Sequence, residues 1–136
     1  MKNAELWAKQ TTVKVLADKS YGALYKNAPV LVFHAAKNEY ESAQIIITAA
    51  EDIRDYRVEL SHIQSENRMY YIWKDCFTVY HQKYIEVKRN SKGAEEKGFG
   101  KGLYPDALLP YEKAVEYREN KVERGKNQAV FISLHV

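Results

Sequence analysis

Hydrophobic residues along this chain recur mostly at every second position, the period of a strand with one face toward a core. Within Leu6 to Leu16, Val13 and Val15 point one way while Thr12 and Lys14 point the other, which predicts an outer strand with one buried side. Tyr56, Val58 and Leu60 alternate with Arg57, Glu59 and Ser61, and Val130, Ile132, Leu134 and Val136 alternate with Ala129, Phe131, Ser133 and His135. Each pattern predicts a strand, the second running to the end of the chain. Between Gln44 and Thr48 the three consecutive isoleucines instead fit a strand buried inside a sheet. From Cys76 to Lys88, Phe77, Val79, Ile85 and Val87 share a face that His81 and Lys83 interrupt, so a bend, bulge or change of sheet is expected near His81.

The connections are irregular. Asp18 to Pro29 carries turn formers such as Gly22 and Asn27, Val30 to Phe33 is a short apolar run, and Glu51 to Asp55 reads as a turn. Asn90 to Gly102 has no apolar periodicity and reads as a loop of solvated charge. In Tyr104 to Tyr111, Pro105 and Pro110 fix the backbone and Asp106 can cap a turn, which suggests an anchored crossover loop. Glu112 to Gly125 fits a helix by composition, but the spacing of Val115, Tyr117 and Val122 favours extended structure. At least six strand patterns and little helix predict an all-β chain, an antiparallel β-sandwich of jelly-roll or immunoglobulin-like type.

The stretch from His34 to Ala50 joins a polar corner, Asn38 to Gln44, to the isoleucine strand. Such a corner is expected to be structural, its side chains satisfying backbone groups of neighbouring loops. Glu39 and Glu41 would lie about 7 Å apart on one face if extended, a spacing compatible with inverting glycoside hydrolysis. No cleft or perturbing charge is legible around them, so no catalytic residue is assigned.

Length and charge narrow the classes further. At 136 residues and 46% hydrophobic content, residues 1–136 are expected to form a single domain. A net charge of +3, from 21 basic and 18 acidic residues spread along the chain, gives no case for a nucleic-acid or membrane partner. No apolar run approaches the roughly 20 residues of a membrane helix, and the first ten residues lack the apolar block of a signal peptide. This predicts a soluble chain while leaving the compartment of a parent protein open. Cys76 stands alone, and His34, His62, His81 and His135 show no ligand spacing, so neither a disulfide nor a metal or other cofactor is expected.

Two sites carry chemistry in principle. Gly98 to Gly102 superficially suggests a phosphate cradle, but Lys101 precedes glycine instead of serine or threonine, and it reads as a flexible loop. Among the aromatic residues Tyr70 to Trp73, Tyr71 and Trp73 would share one strand face, where flat rings can stack on sugars. Core packing is the favoured reading of that pair, because aromatic residues commonly supply core area.

Three stretches together, AAKNEYESAQ at Ala35 to Gln44, YPDALLP at Tyr104 to Pro110 and GKNQAVFISLHV at Gly125 to Val136, resemble one known pattern. It is the N-terminal β-sandwich domain of bacterial glycoside-hydrolase-like proteins related to family 123, which often carry a C-terminal domain of unknown function. Phe131 stands where that family often has tryptophan, Ala43 where it often has a bulkier apolar residue, and Ser91 to Lys101 lengthens a loop. The resemblance assigns Asn38, Glu39, Glu41, Gln44, Pro105, Asp106, Asn127 and Gln128 to structural motifs. It also implies a fragment that stops just before a catalytic barrel whose carboxylates have no counterpart here. The expected function is thus a non-catalytic accessory domain, a monomer that supports or positions a downstream catalytic domain of the same polypeptide. The alternative is a carbohydrate-binding module using Tyr71 and Trp73.

Overall fold

The structure, a computed structural model, describes residues 3–89 and 100–136. Most of the loop expected over Asn90 to Gly102, with Gly98 and Phe99 of the glycine-rich segment, lies outside the described residues. The chain is all-β and mainly antiparallel, as the alternation predicts. Strands β1 (Ala4–Lys9), β2 (Tyr40–Ala49), β7 (Asn127–His135), β5 (Phe77–Val87) and β6 (Gly102–Pro110) form one five-stranded sheet in that spatial order. Strands β3 (Ile63–Gln64) and β4 (Tyr71–Ile72) form a separate hairpin, and α1 is a short helix at Tyr111–Glu116.

Register explains how the sheet is buried on both faces. β2 is flanked by β1 and β7, with Ile46 opposite Trp7 on one side and Ala129 on the other, while Ile45 lies opposite Ala8 and Val130. The consecutive isoleucines therefore feed both faces, as an inner strand requires. On the Trp7 face, Trp7, Val15, Ile46 and Ala129 form a core that Tyr21 closes. On the opposite face, Ile47, Ala49, Val130 and Ile132 pack against Tyr56 and Val122, with Leu31, Phe33, Ile53, Val58 and Tyr111 around them. The layer over that second face is built from extended segments joined by the bridge Ile53–Val122, where a regular sandwich carries a full second sheet.

The irregularity expected near His81 lies further along the strand, as a bulge at Tyr84, while His81 itself pairs regularly with Leu109. Lys83 pairs with Ala107 and Ile85 with Tyr104, so Pro105 and Asp106 together oppose Tyr84. YPDALLP is the edge strand β6 and not a crossover loop. Prolines are tolerated at bulges and on edges because no outer strand needs their missing N–H, and there they also discourage pairing with other chains. Asp106 does not cap a turn; its carboxylate pairs with Lys14 at 2.6 Å.

Three other expectations change. β1 ends at Lys9; Val13 lies in a turn whose N–H donates to Gln10 O at 3.0 Å, and Val15, outside the sheet, packs with Trp7. Tyr56 to Leu60 keeps the alternating burial but pairs with no strand. Single bonds satisfy its backbone instead: Tyr56 N–H donates to Asn120 O at 2.9 Å, Val58 N–H donates to the Tyr111 hydroxyl at 2.9 Å, and Asn120 Nδ2 donates to Tyr56 O at 2.9 Å. The extended reading of Glu112 to Gly125 fails over its first part, where α1 buries Ala114 beneath its turn, and fits Val122 in its bridge.

Candidate functional site

The polar stretch Asn38 to Gln44 is a corner only at Asn38 and Glu39, since Tyr40 to Gln44 already belong to β2, and it works as a set of backbone clamps. Asn38 adopts φ 65°, a left-handed conformation that asparagine tolerates better than most residues. Its N–H donates to Val136 O at 2.6 Å, and Glu39 Oε2 accepts Ala36 N–H at 2.9 Å. Gln44 is 1% exposed; its Nε2 donates to Gln10 O at 2.7 Å and Val13 O at 2.6 Å, and its Oε1 accepts from Gln82 Nε2 at 3.1 Å. Glu41 lies elsewhere, lining an open groove with His34 and Thr11, so the two carboxylates form no shared site.

Asn127 and Gln128 are likewise buried and bonded. Asn127 Nδ2 donates to Leu16 O and Lys19 O, and its Oδ1 accepts from the Thr48 hydroxyl, which in turn accepts Trp7 Nε1–H. Gln128 Nε2 donates to Gln82 O and Ala129 O. Among the described residues, no buried side-chain nitrogen or oxygen lacks a partner. Cys76 is a free, half-buried thiol at the end of the 3₁₀ turn Lys74–Cys76, and no cluster of three potential metal ligands occurs among the described residues.

Against that satisfied interior, the β3–β4 hairpin stands out. The favoured core reading of Tyr71 and Trp73 is wrong: they are 44% and 62% exposed. Their rings lie 5.7 Å apart and within 19° of parallel, with His62 at 5.6 Å from Tyr71 and 5.7 Å from Trp73. The pairing explains this cluster. Gln64 lies opposite Tyr71, so by strand alternation His62, Gln64, Tyr71 and Trp73 share one face. Gln64 Nε2 donates to the Tyr71 hydroxyl at 2.8 Å and fixes the edge of that ring.

The tip of the hairpin is held by its own turn chemistry. Ser65 N–H donates to Tyr70 O, Arg68 N–H donates to Ser65 O, and Asn67 Oδ1 accepts from the Ser65 hydroxyl and Met69 N–H. A turn tied this way limits the entropy lost when the face engages a ligand. Ile63 pairs with Ile72 on the other face, and Ile63, Met69 and Tyr70 are 47%, 71% and 70% exposed. His62 and Gln64 are absent from the sequence-based assignment. The turn-forming run Ser65 to Arg68 between alternating segments is the signal that marks the hairpin and brings them opposite Tyr71.

No protein-family model matches this chain, and no curated protein matches it significantly.

Proposed function

We propose that the chain is a non-catalytic accessory domain whose β3–β4 hairpin is its recognition element, with a carbohydrate as the ligand of the His62, Gln64, Tyr71 and Trp73 face. The observation that carries this reading is the exposure of two nearly parallel rings on a tied hairpin. Apolar ring faces suit the C–H faces of a pyranose, while the Tyr71 hydroxyl, Gln64 amide, His62 ring and Trp73 indole N–H surround them with hydrogen-bonding groups. The sequence resemblance supplies the setting: a glycoside-hydrolase-like protein in which this domain supports a catalytic barrel and holds a glycan near it.

A second reading has its own support. Exposed Ile63 and Tyr70, on the side of Ile72, with Met69 at the tip, make the hairpin apolar away from the ring face, which suits direct seating against the catalytic domain. Tryptophan emission separates the two, because Trp7 is 1% exposed and Trp73 is 62% exposed. Titration with oligosaccharides should blue-shift the Trp73 component saturably, and Trp73→Ala should abolish the change. A folded chain whose emission ignores every glycan in a broad panel overturns the carbohydrate reading and leaves the docking one.

A further inference from the structure

A second site lies where the main sheet forks. β5 and β7 pair from Phe77–Leu134 to His81–Val130; beyond that point β7 continues to Asn127 without β5 beside it. Side chains take over the lost ladder. The Tyr84 hydroxyl accepts Ala129 N–H at 3.2 Å, and Gln128 Nε2 reaches Gln82 O at 2.7 Å. The fork opens a cleft of about 300 Å³, at the lower end of the range for small-ligand sites.

Polar groups in this cleft have valences that the protein leaves open. His81 is 3% exposed, and its Nδ1 is 2.6 Å from the Tyr56 hydroxyl, the only partner that hydroxyl has among the described residues. Nδ1 is the one acceptor within reach of the buried phenolic proton among the described residues, so the Tyr56 hydroxyl donates to Nδ1. That bond assigns the other proton to Nε2. Nε2 has no partner among the described residues; none of their fully buried side-chain nitrogens is left unpaired, so Nε2 keeps solvent contact, and His81 lines the cleft. Gln128 is 5% exposed, and its orientation is fixed by its two Nε2 bonds, so Oε1 remains as a free acceptor. The Tyr84 hydroxyl, already accepting, has its proton to offer.

The cleft therefore presents two fixed neutral donors and one fixed neutral acceptor, between the apolar side chains of Leu103 and Val122. Of the charges that line it, Lys83 pairs with Glu119 at 3.2 Å and Lys126 with Asp18, while Lys121 and Glu123 are opposite in sign, so the lining carries no net charge. A carboxylate would meet Gln128 Oε1 with repulsion, and an ammonium would meet two donors. Hydroxyl groups, each able to donate and accept, match a fixed mixture of both. We infer that the fork between β5 and β7 binds a single uncharged polyol, of the size of one pyranose ring, through His81 Nε2, Tyr84 Oη and Gln128 Oε1. The site is independent of the hairpin and stands or falls separately from it.

The test is an NMR titration of the full chain with methyl α-glucopyranoside and with sorbitol, the two arms separating a sugar ring from an open-chain polyol. Acetate and N-methylacetamide serve as the anion and amide alternatives. Two-bond ¹H–¹⁵N spectra of His81 should show the Nε2–H tautomer before addition, and saturable shifts of the His81 ring and Gln128 side-chain amide should follow one polyol arm while the Trp73 indole stays still. His81→Phe should weaken that binding by about fivefold, the worth of one net hydrogen bond. Should that variant fail to fold, Tyr84→Phe carries the same expectation. The Nδ1–H tautomer, the absence of saturable shifts with either polyol, or His81 shifts produced by acetate or N-methylacetamide in their place would overturn the inference.

Discussion

Replacing Gln44 by methionine tests whether the polar corner holds the fold through hydrogen bonds or merely fills space. The two side chains have similar length and volume, so packing on the Trp7 face is kept while three hydrogen bonds disappear. Gln10 and Val13 belong to a turn near the surface, where water can reach their freed carbonyls, so each costs about 1 kcal/mol, the low end for an unsatisfied group. Gln82 is 4% exposed, and its stranded Nε2 costs about 2 kcal/mol. The gain from burying a less polar side chain returns about 1 kcal/mol. The net loss is about 3 kcal/mol, which for a domain of this size lowers Tm by roughly 10 °C. Urea unfolding followed by far-ultraviolet circular dichroism measures it directly. A Gln44→Met protein within about 0.5 kcal/mol of the parent would refute the clamp, because changes of that size are typical of surface positions without a structural role.

Other expectations follow from single contacts. Trp73→Ala should change stability by less than about 0.5 kcal/mol, as an exposed residue does, whereas Trp7→Ala should cost about 3–5 kcal/mol; iodide should quench Trp73 and spare Trp7. Burial lowers the His81 pKa below 6.5, with Glu119 opposing that shift, so the unfolded chain binds the extra proton first. Stability should therefore fall as pH drops from 6.5 toward the folded-state pKa, and His81→Gln should flatten that slope in urea titrations across the window. Arg68 holds φ 60° at the hairpin tip, so Arg68→Gly should stabilise the hairpin by about 0.5 kcal/mol, visible as slower amide exchange at Arg68 and Ser65.

What the sequence reveals here depends on whether a segment's partner is itself visible in the pattern. Ile45 to Ile47 announce an inner strand, because only a strand flanked on both sides and covered on both faces needs three apolar residues in a row. The clamp role of the polar corner is legible for the same kind of reason: Gln44 cannot be buried without partners. YPDALLP misleads because two prolines suggest a loop, and only the position of β6 at the sheet edge makes them harmless. Tyr56 to Leu60 alternates like a strand, yet Tyr111 and Asn120, more than 50 residues away, satisfy its backbone in place of a ladder. His81 reads as an interruption because its partner Tyr56 lies on another layer. The exposure of Tyr71 and Trp73 is equally unreadable, since alternation shows that they share a face but not what covers it.

The central claim, that the hairpin face is the recognition surface of this domain, is tested most directly by the indole ¹H–¹⁵N resonance of Trp73 during titration of the ¹⁵N-labelled chain with oligosaccharides. The account expects saturable movement of that resonance together with the amides of His62, Gln64 and Tyr71, while the Trp7 indole, donating to Thr48, stays fixed. A dispersed spectrum in which the Trp73 indole and its neighbours hold still at every glycan concentration would contradict it.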